Sequence, residues 1–172
     1  NDASALGPTE EVDLVGLAAE ECARTGADLE IAPGGSSLLV QGHPRLLRRL
    51  LRNLLENARR YGRPVSGADA DPGEPQVRLT LSQRSGSGPR VSTTGASGVA
   101  VLWVDDRGPG VPTELQARIF EPFYRLPGAS EKEGGVGLGL SLVKSIAERH
   151  RGLVRCESRP GGGARFVVEL PL

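Results

Sequence analysis

Residues 45–62 read RLLRRLLRNLLENARRYG, and the rest of the chain falls into place around them. Leu46, Leu47, Leu50, Leu51, Leu54, Leu55 and Ala58 fall on one broad arc of a helix. At about 100° per residue, Asn53, Asn57 and Arg60 lie within roughly 60° of one another, beside that arc. One side of the helix therefore belongs to a core, and its rim carries two amides and a guanidinium. A single asparagine there would mean little. Two at i and i+4, with an arginine one turn on, suggest polar groups presented to a ligand.

The composition bounds what the chain can be. Its 172 residues favour one domain with a full core. Basic and acidic residues number 21 each, so no global field argues for nucleic acid or an anionic membrane. No apolar run reaches the roughly 18 residues that cross a bilayer. Residues 1–12 are polar and carry no signal peptide. Cys22 and Cys156 lie far apart, in no metal-ligand spacing, and read as reduced, half-buried thiols. The abrupt polar start leads us to expect a piece of something longer.

Working outward, residues 1–10 form a polar leader, and Thr9 resembles a helix entry for residues 12–25, with Gly26 as C-cap. Residues 28–32 and 37–41 read as a hairpin across Pro33-Gly34-Gly35. Pro44 suits the first turn of the central helix. Residues 63–75 form a surface loop, 77–81 a half-buried strand, 84–98 a flexible Ser/Gly/Thr loop and 99–104 a central strand with the only tryptophan, Trp103. A short helix is expected over 112–120. Glycines from 134 run into a helix ending at His150 and Gly152, and a last hairpin crosses Pro160 to Gly163. Strand runs with helices on one face imply an α+β, two-layer sandwich with a mixed, mostly antiparallel sheet and three helices.

Three further stretches carry chemistry. Gly135-Val136-Gly137-Leu138-Gly139-Leu140 opens the last helix. Glycines let backbone N–H groups approach a ligand, and a helix N-terminus adds unsatisfied donors and partial positive charge. That makes a phosphate site, although the spacing is neither Rossmann nor Walker, and a flexible hinge would look the same. Asp106 ends a buried strand ahead of Gly108-Pro-Gly110. Its carboxylate can accept from an exocyclic amine, with a flat base against the glycines; the plain alternative is an Asp-Gly turn. Asp105 is expected in solvent. Phe120 and Phe123 either anchor a mobile lid or fill core. Arg118, Arg125 and Lys132 reach phosphate or are plain surface charge.

In this order the motifs resemble the catalytic ATP-binding domain of a sensor histidine kinase. Its superfamily, the Bergerat fold, includes gyrase, the ninety-kilodalton chaperones and mismatch-repair ATPases. Residues 53–62 resemble the N box, 106–110 the G1 box, 120–123 the F box and 135–140 the G2 box, and the likeness covers 11–172. It implies that Asn57 ligates Mg²⁺, that Asn53 assists at the phosphates, that Arg60 faces a phosphate and that Tyr61 packs on adenine. It implies that Asp106 accepts from the adenine amino group, with Gly108 and Gly110 shaping the base pocket. Residues 111–134 would form an ATP lid, including Phe120, Phe123 and Arg125, and Gly135, Gly137 and Gly139 would close on the phosphates.

In the hydrolysing relatives a glutamate stands four residues before the magnesium asparagine. Here that position is Asn53, whose amide cannot take a proton. Glu56 points about 100° away from Asn57. His43 reads as a turn residue and His150 as a partner of a helix C-terminal dipole. Neither has the context of a phosphoacceptor. The resemblance thus implies a chain that binds Mg-ATP and phosphorylates a histidine on a separate dimerisation domain upstream. A response regulator would be served indirectly. The isolated domain is expected to be a monomer, cytoplasmic, from a membrane-anchored kinase. Two alternatives stand beside this: an anti-sigma-type serine kinase on the same scaffold, and a degenerate module that holds no nucleotide.

Overall fold

The structure, a computed structural model, describes residues 7–63, 75–85, 98–124 and 139–172. Strand β1 (Glu10–Asp13) runs into helix α1 (Leu14–Thr25). Strands β2 (Asp28–Ile31) and β3 (Leu39–Gly42) precede helix α2 (Pro44–Tyr61), and β4 (Val77–Arg84) and β5 (Val99–Asp106) follow it. Two 3₁₀ turns, Thr113–Leu115 and Arg118–Phe120, come before helix α3 (Gly139–Arg149). Strands β6 (Leu153–Ser158) and β7 (Ala164–Pro171) complete the fold.

The main sheet has the order β2-β4-β5-β7-β6, antiparallel throughout except for the parallel pair β2–β4. The three helices share one core with one face of this sheet. From α2, Leu47, Leu50, Leu51, Leu54, Leu55 and Ala58 are buried, and Leu46 is partly so. They meet Leu79, Leu81, Leu102 and Val104 of the central strands. Val143, Ile146 and Ala147 of α3 join them with Phe166, Val168 and Leu170 of β7. A fully buried leucine contributes about 1.5–3 kcal/mol, so α2 is the main hydrophobic anchor. The expected two-layer α+β sandwich is what the chain forms.

Several local expectations are corrected. The first helix begins at Leu14 rather than at residue 12, because Val12 and Asp13 pair with Val40 and Leu39 in a separate two-stranded sheet. The N-cap is Asp13, whose carboxylate accepts from Gly16 N at 3.2 Å, and not Thr9. β2 and β3 do not form a hairpin: β2 lies along β4 and β3 along β1. The strand from Val77 runs on to Arg84, and the expected helix over 112–120 is two separate 3₁₀ turns. Both thiols are buried rather than half-buried, and burial pushes Cys22 to about 11 and Cys156 to about 12.

Two polar clusters tie the helices together. Glu21 of α1 is only 1% exposed and accepts from Arg52 Nε at 3.1 Å and Nη2 at 3.0 Å, and from Arg48 Nη1 at 3.1 Å. The Arg52 hydrogen bonds hold its carboxyl below the usual range. At the far end of α2, His150 Nε2 accepts from the His43 N–H at 3.0 Å, while Nδ1 lies 2.8 Å from the Ile146 carbonyl. That pairing requires a neutral ring protonated on Nδ1. Burial accordingly lowers the His150 pKa. His150 is therefore not a charged partner of the helix dipole, since its second nitrogen is needed as an acceptor. A Cβ on Gly42 would run into the ring.

A neutral buried histidine makes folding sensitive to acid. The unfolded chain protonates at the ordinary histidine pKa and the folded chain only lower. Stability is full above about pH 6.5 and falls as pH drops below it. Denaturant midpoints measured between about pH 8 and 5 should show this decline, and His150→Gln should flatten that part of the slope.

Candidate functional site

The amides forecast on the rim of α2 stand where expected, with Asn53 and Asn57 half-buried beside the leucine arc. Asn53 Nδ2 donates to the Gly139 carbonyl at 3.4 Å, which seats the start of α3 against the middle of α2. The first turn of α3 carries the partial positive charge of a helix N-terminus. Among the described residues nothing lies within 4 Å of the Cβ position of Gly139.

The opposite end of α2 meets Asp106. Its Oδ1 accepts from Gly108 N at 3.0 Å and from Ala164 N at 3.1 Å. Among the described residues no hydrogen bond to Oδ2 is found. Burial raises the Asp106 pKa, and the Ala164 and Gly108 N–H groups pull it back. Backbones crowd around it. A Cβ on Gly62 would run into the Asp106 side chain, and one on Gly108 would lie 2.7 Å from Gly62 Cα. Gly163, at φ +98°, has the Asp106 carbonyl where a side chain would be. Arg107 N donates to Gly62 O at 3.3 Å.

Asn53 and Gly62 thus bracket the polar side of α2, about 13 Å apart at the helical rise, with Asn57 and Arg60 between them. Asp106 and Gly108 meet the Tyr61–Gly62 end of α2, Gly110 lies against Gly163 beside them, and Gly139 meets Asn53. Arg125, Gly135, Val136, Gly137 and Leu138 lie outside the described residues, as do residues 125–134 of the expected lid and 86–97 of the loop over 84–98. Leu140 is half-buried at the start of α3. The two phenylalanines part company. Phe120 is buried with its ring edge-on to Phe166 at 6.2 Å, whereas Phe123 is 69% exposed at φ +65°. Asp105 is not in solvent: it is buried and takes a two-pronged bond from Arg165, Nε to Oδ1 at 2.7 Å and Nη2 to Oδ2 at 3.1 Å. An arginine directly opposite on β7 replaces the water.

Gly62, Gly163 and Ala164 were not singled out from sequence. The available signal was the run Gly161-Gly162-Gly163, longer than a hairpin turn needs. All three residues have positive φ.

Helices on one face of a mixed sheet, with a carboxylate ending the central strand against the tail of an amide-bearing helix, make this the Bergerat fold of ATP-binding domains. The chain belongs to the family of histidine kinase-, DNA gyrase B- and HSP90-like ATPases, whose profile matches residues 42–172. It is similar to sensor histidine kinase CpxA of Escherichia coli K12, 34% identical over 161 residues. That match takes in 93% of this chain and 30% of CpxA, so the chain spans under a third of that relative. The solved mycobacterial sensor histidine kinase MprB shares the fold, with TM-score 0.67 at 23% identity over 95% of this chain and 97% of that one. The ATP-binding domain of PrrB from Mycobacterium tuberculosis matches with TM-score 0.60 and 29% identity, over 95% and 96% of the two chains.

The glycine packing around Asp106 is open to test. Gly163→Ala adds a methyl against the Asp106 carbonyl in a left-handed backbone. It should destabilise the domain by about 2–3 kcal/mol, read as a lowered midpoint in thermal or urea unfolding. Gly161→Ala, with nothing within 4 Å of its Cβ position, should cost less.

Proposed function

We propose that this chain binds Mg-ATP and donates the γ-phosphoryl group to a histidine on a separate dimerisation domain of the same kinase. The observation that carries the reading is the bracketing of one helix side. Asp106 presents a fixed acceptor at the Gly62 end, and Asn53 holds the start of α3 at the other. The base belongs at the first end and the phosphates at the second.

The residues take these roles. Asp106 Oδ2 accepts from the adenine amino group while Oδ1 is occupied by two backbone donors. Gly108 and Gly110 shape the base pocket by letting their backbone pack against Gly62 and Gly163, and Tyr61 packs on the base. Arg60 and Asn53 face the phosphates, joined by Gly135, Gly137 and Gly139 with Val136, Leu138 and Leu140. Residues 111–134, with Phe120, Phe123 and Arg125, form the lid. The domain proper runs over 11–172, with residues 1–10 as linker.

The donor set fits magnesium held mainly by the nucleotide. Among the described residues no three acidic, histidine or cysteine side chains gather to hold a metal. Asn57 offers a neutral hard oxygen, and Mg²⁺ bound this way takes its other ligands from phosphate and water. When bound, the ion neutralises developing phosphate charge, as phosphoryl transfer requires. The protein orients the chain of phosphates and offers no base at residue 53 to activate water, which favours transfer over hydrolysis.

Sensor kinases among the relatives support this reading over a serine kinase. The parent would be a membrane-anchored kinase with this domain in the cytoplasm, serving a response regulator through the phosphohistidine. The domain itself would be monomeric. No described helix is long and apolar enough to cross a membrane.

Calorimetric titration with Mg-ATP tests the site. In Asp106→Asn, Oδ1 must stay the acceptor for two N–H groups. The new NH₂ then faces the adenine NH₂, donor against donor. ATP affinity should fall by about five- to a hundredfold, as for an unpaired buried polar group of roughly 1–3 kcal/mol. Asn57→Asp should alter the magnesium dependence more than base selectivity. Separately, a histidine-bearing hairpin domain mixed with the chain and labelled ATP should acquire acid-labile label. Proven ATP binding without transfer would count against the kinase reading.

A further inference from the structure

The face of the sheet away from the helices carries a row of alternating charge. Asp28 of β2 lies opposite Arg78 of β4, Arg78 opposite Asp105 of β5, Asp105 opposite Arg165 of β7, and Arg165 opposite Glu157 of β6. The row crosses five strands one residue away from Asp106. Successive strand residues point to opposite faces. Asp106 therefore faces the helices while Asp105 faces outward, and Ala164 and Arg165 are paired in the same way on β7.

The two faces are thus stitched at one step of the ladder. On the inner face the Ala164 N–H donates to Asp106 Oδ1 at 3.1 Å. On the outer face the fork of Arg165 grips both oxygens of Asp105. Arg165 is also stacked 5.6 Å from the Trp103 ring centroid, which fixes its plane. The Ala164 amide needs such an anchor. It follows Gly161, Gly162 and Gly163, three consecutive glycines at φ between +87° and +107°, the most deformable backbone a chain can place there. The remaining pairs of β5 and β7 already hold the strands together without this contact.

We propose that Asp105 and Arg165 are positioning residues for nucleotide recognition: their outer-face pair fixes the Ala164 amide that aims the Asp106 carboxylate at the base. The inference rests on the reading that Asp106 accepts from adenine. The pair also sets the field there. Asp105 is an adjacent negative charge, which Arg165 balances. Among the described residues the other groups near Asp106 are Arg107 on its own strand's end and Arg159 and Cys156 from β6 and its turn. From α2 the approach is the Gly62 backbone.

The test uses this chain, with Mg-ATP and Mg-GTP affinities measured by calorimetry from about pH 5 to 8 beside thermal unfolding. Arg165→Gln should weaken ATP about fivefold, the fold-change of roughly 1 kcal/mol of coupling between touching residues. It should shrink the preference over GTP to match, and move the acid limb of ATP binding to higher pH, because Asp105 loses its counter-charge. Asp105→Asn should shrink the preference while moving the limb to lower pH. Arg165→Lys keeps the charge and loses the fork. It should lose part of the preference with the limb unmoved, and it serves if the glutamine variant does not fold. A staple that only holds strands together would lower the unfolding midpoint and leave both the preference and the limb unchanged. That result, alongside lost preference in Asp106→Asn, overturns the inference alone. Wild-type preference in Asp106→Asn overturns the base reading and the inference with it.

Discussion

One carboxylate oxygen, Asp106 Oδ1, accepts from the backbone of its own strand's exit and from the start of β7. The surrounding structure answers to that pair of bonds. Burial works against the charge, and two N–H donors supply what water would have given. The donors can come so close only where side chains are missing. Hence Gly62, Gly108 and Gly163 stand where three backbones converge on one side chain. Under the proposed function the second oxygen, Oδ2, is the one that accepts from the ligand.

Helix α2 gives this arrangement its length. Its leucines sink into the sheet and fix its rotation, so that Asn53, Asn57 and Arg60 keep to the rim. The Glu21 cluster fixes α2 against α1 at mid-length. The His43–His150 contact fixes its start against the end of α3. With rotation and position set, α2 carries the start of α3 at its middle and the end of β5 at its tail.

How much of this could be read from residue order differs by element. α2 was legible because its leucine period is unbroken over several turns. Its rim amides followed from the same arithmetic. β5 was legible because residues 99–104 are apolar on both faces, which only an interior strand requires. Pairing was not legible: β2 and β3 flank a Pro-Gly turn, yet each partners another strand. Short strands carry too few side chains to declare a register. Asp105 was misjudged for a related reason. Its partner Arg165 lies far along the chain, and a carboxylate's need for water vanishes once a guanidinium fork faces it. The glycines around Asp106 looked like turn residues, and only the crossing of backbones shows why each is there.

The sheet's single parallel pair has a consequence for how the chain comes together. β2 is complete early, yet its neighbour β4 lies beyond β3, α2 and a further connection. During synthesis Asp28–Ile31 must leave the ribosome and wait, edge unpaired, until Val77–Arg84 emerges. Such distant pairing closes a large loop and is slow to form. The charged Asp28 and Glu30 on that waiting edge are the kind of residues that discourage it from joining another chain in the meantime.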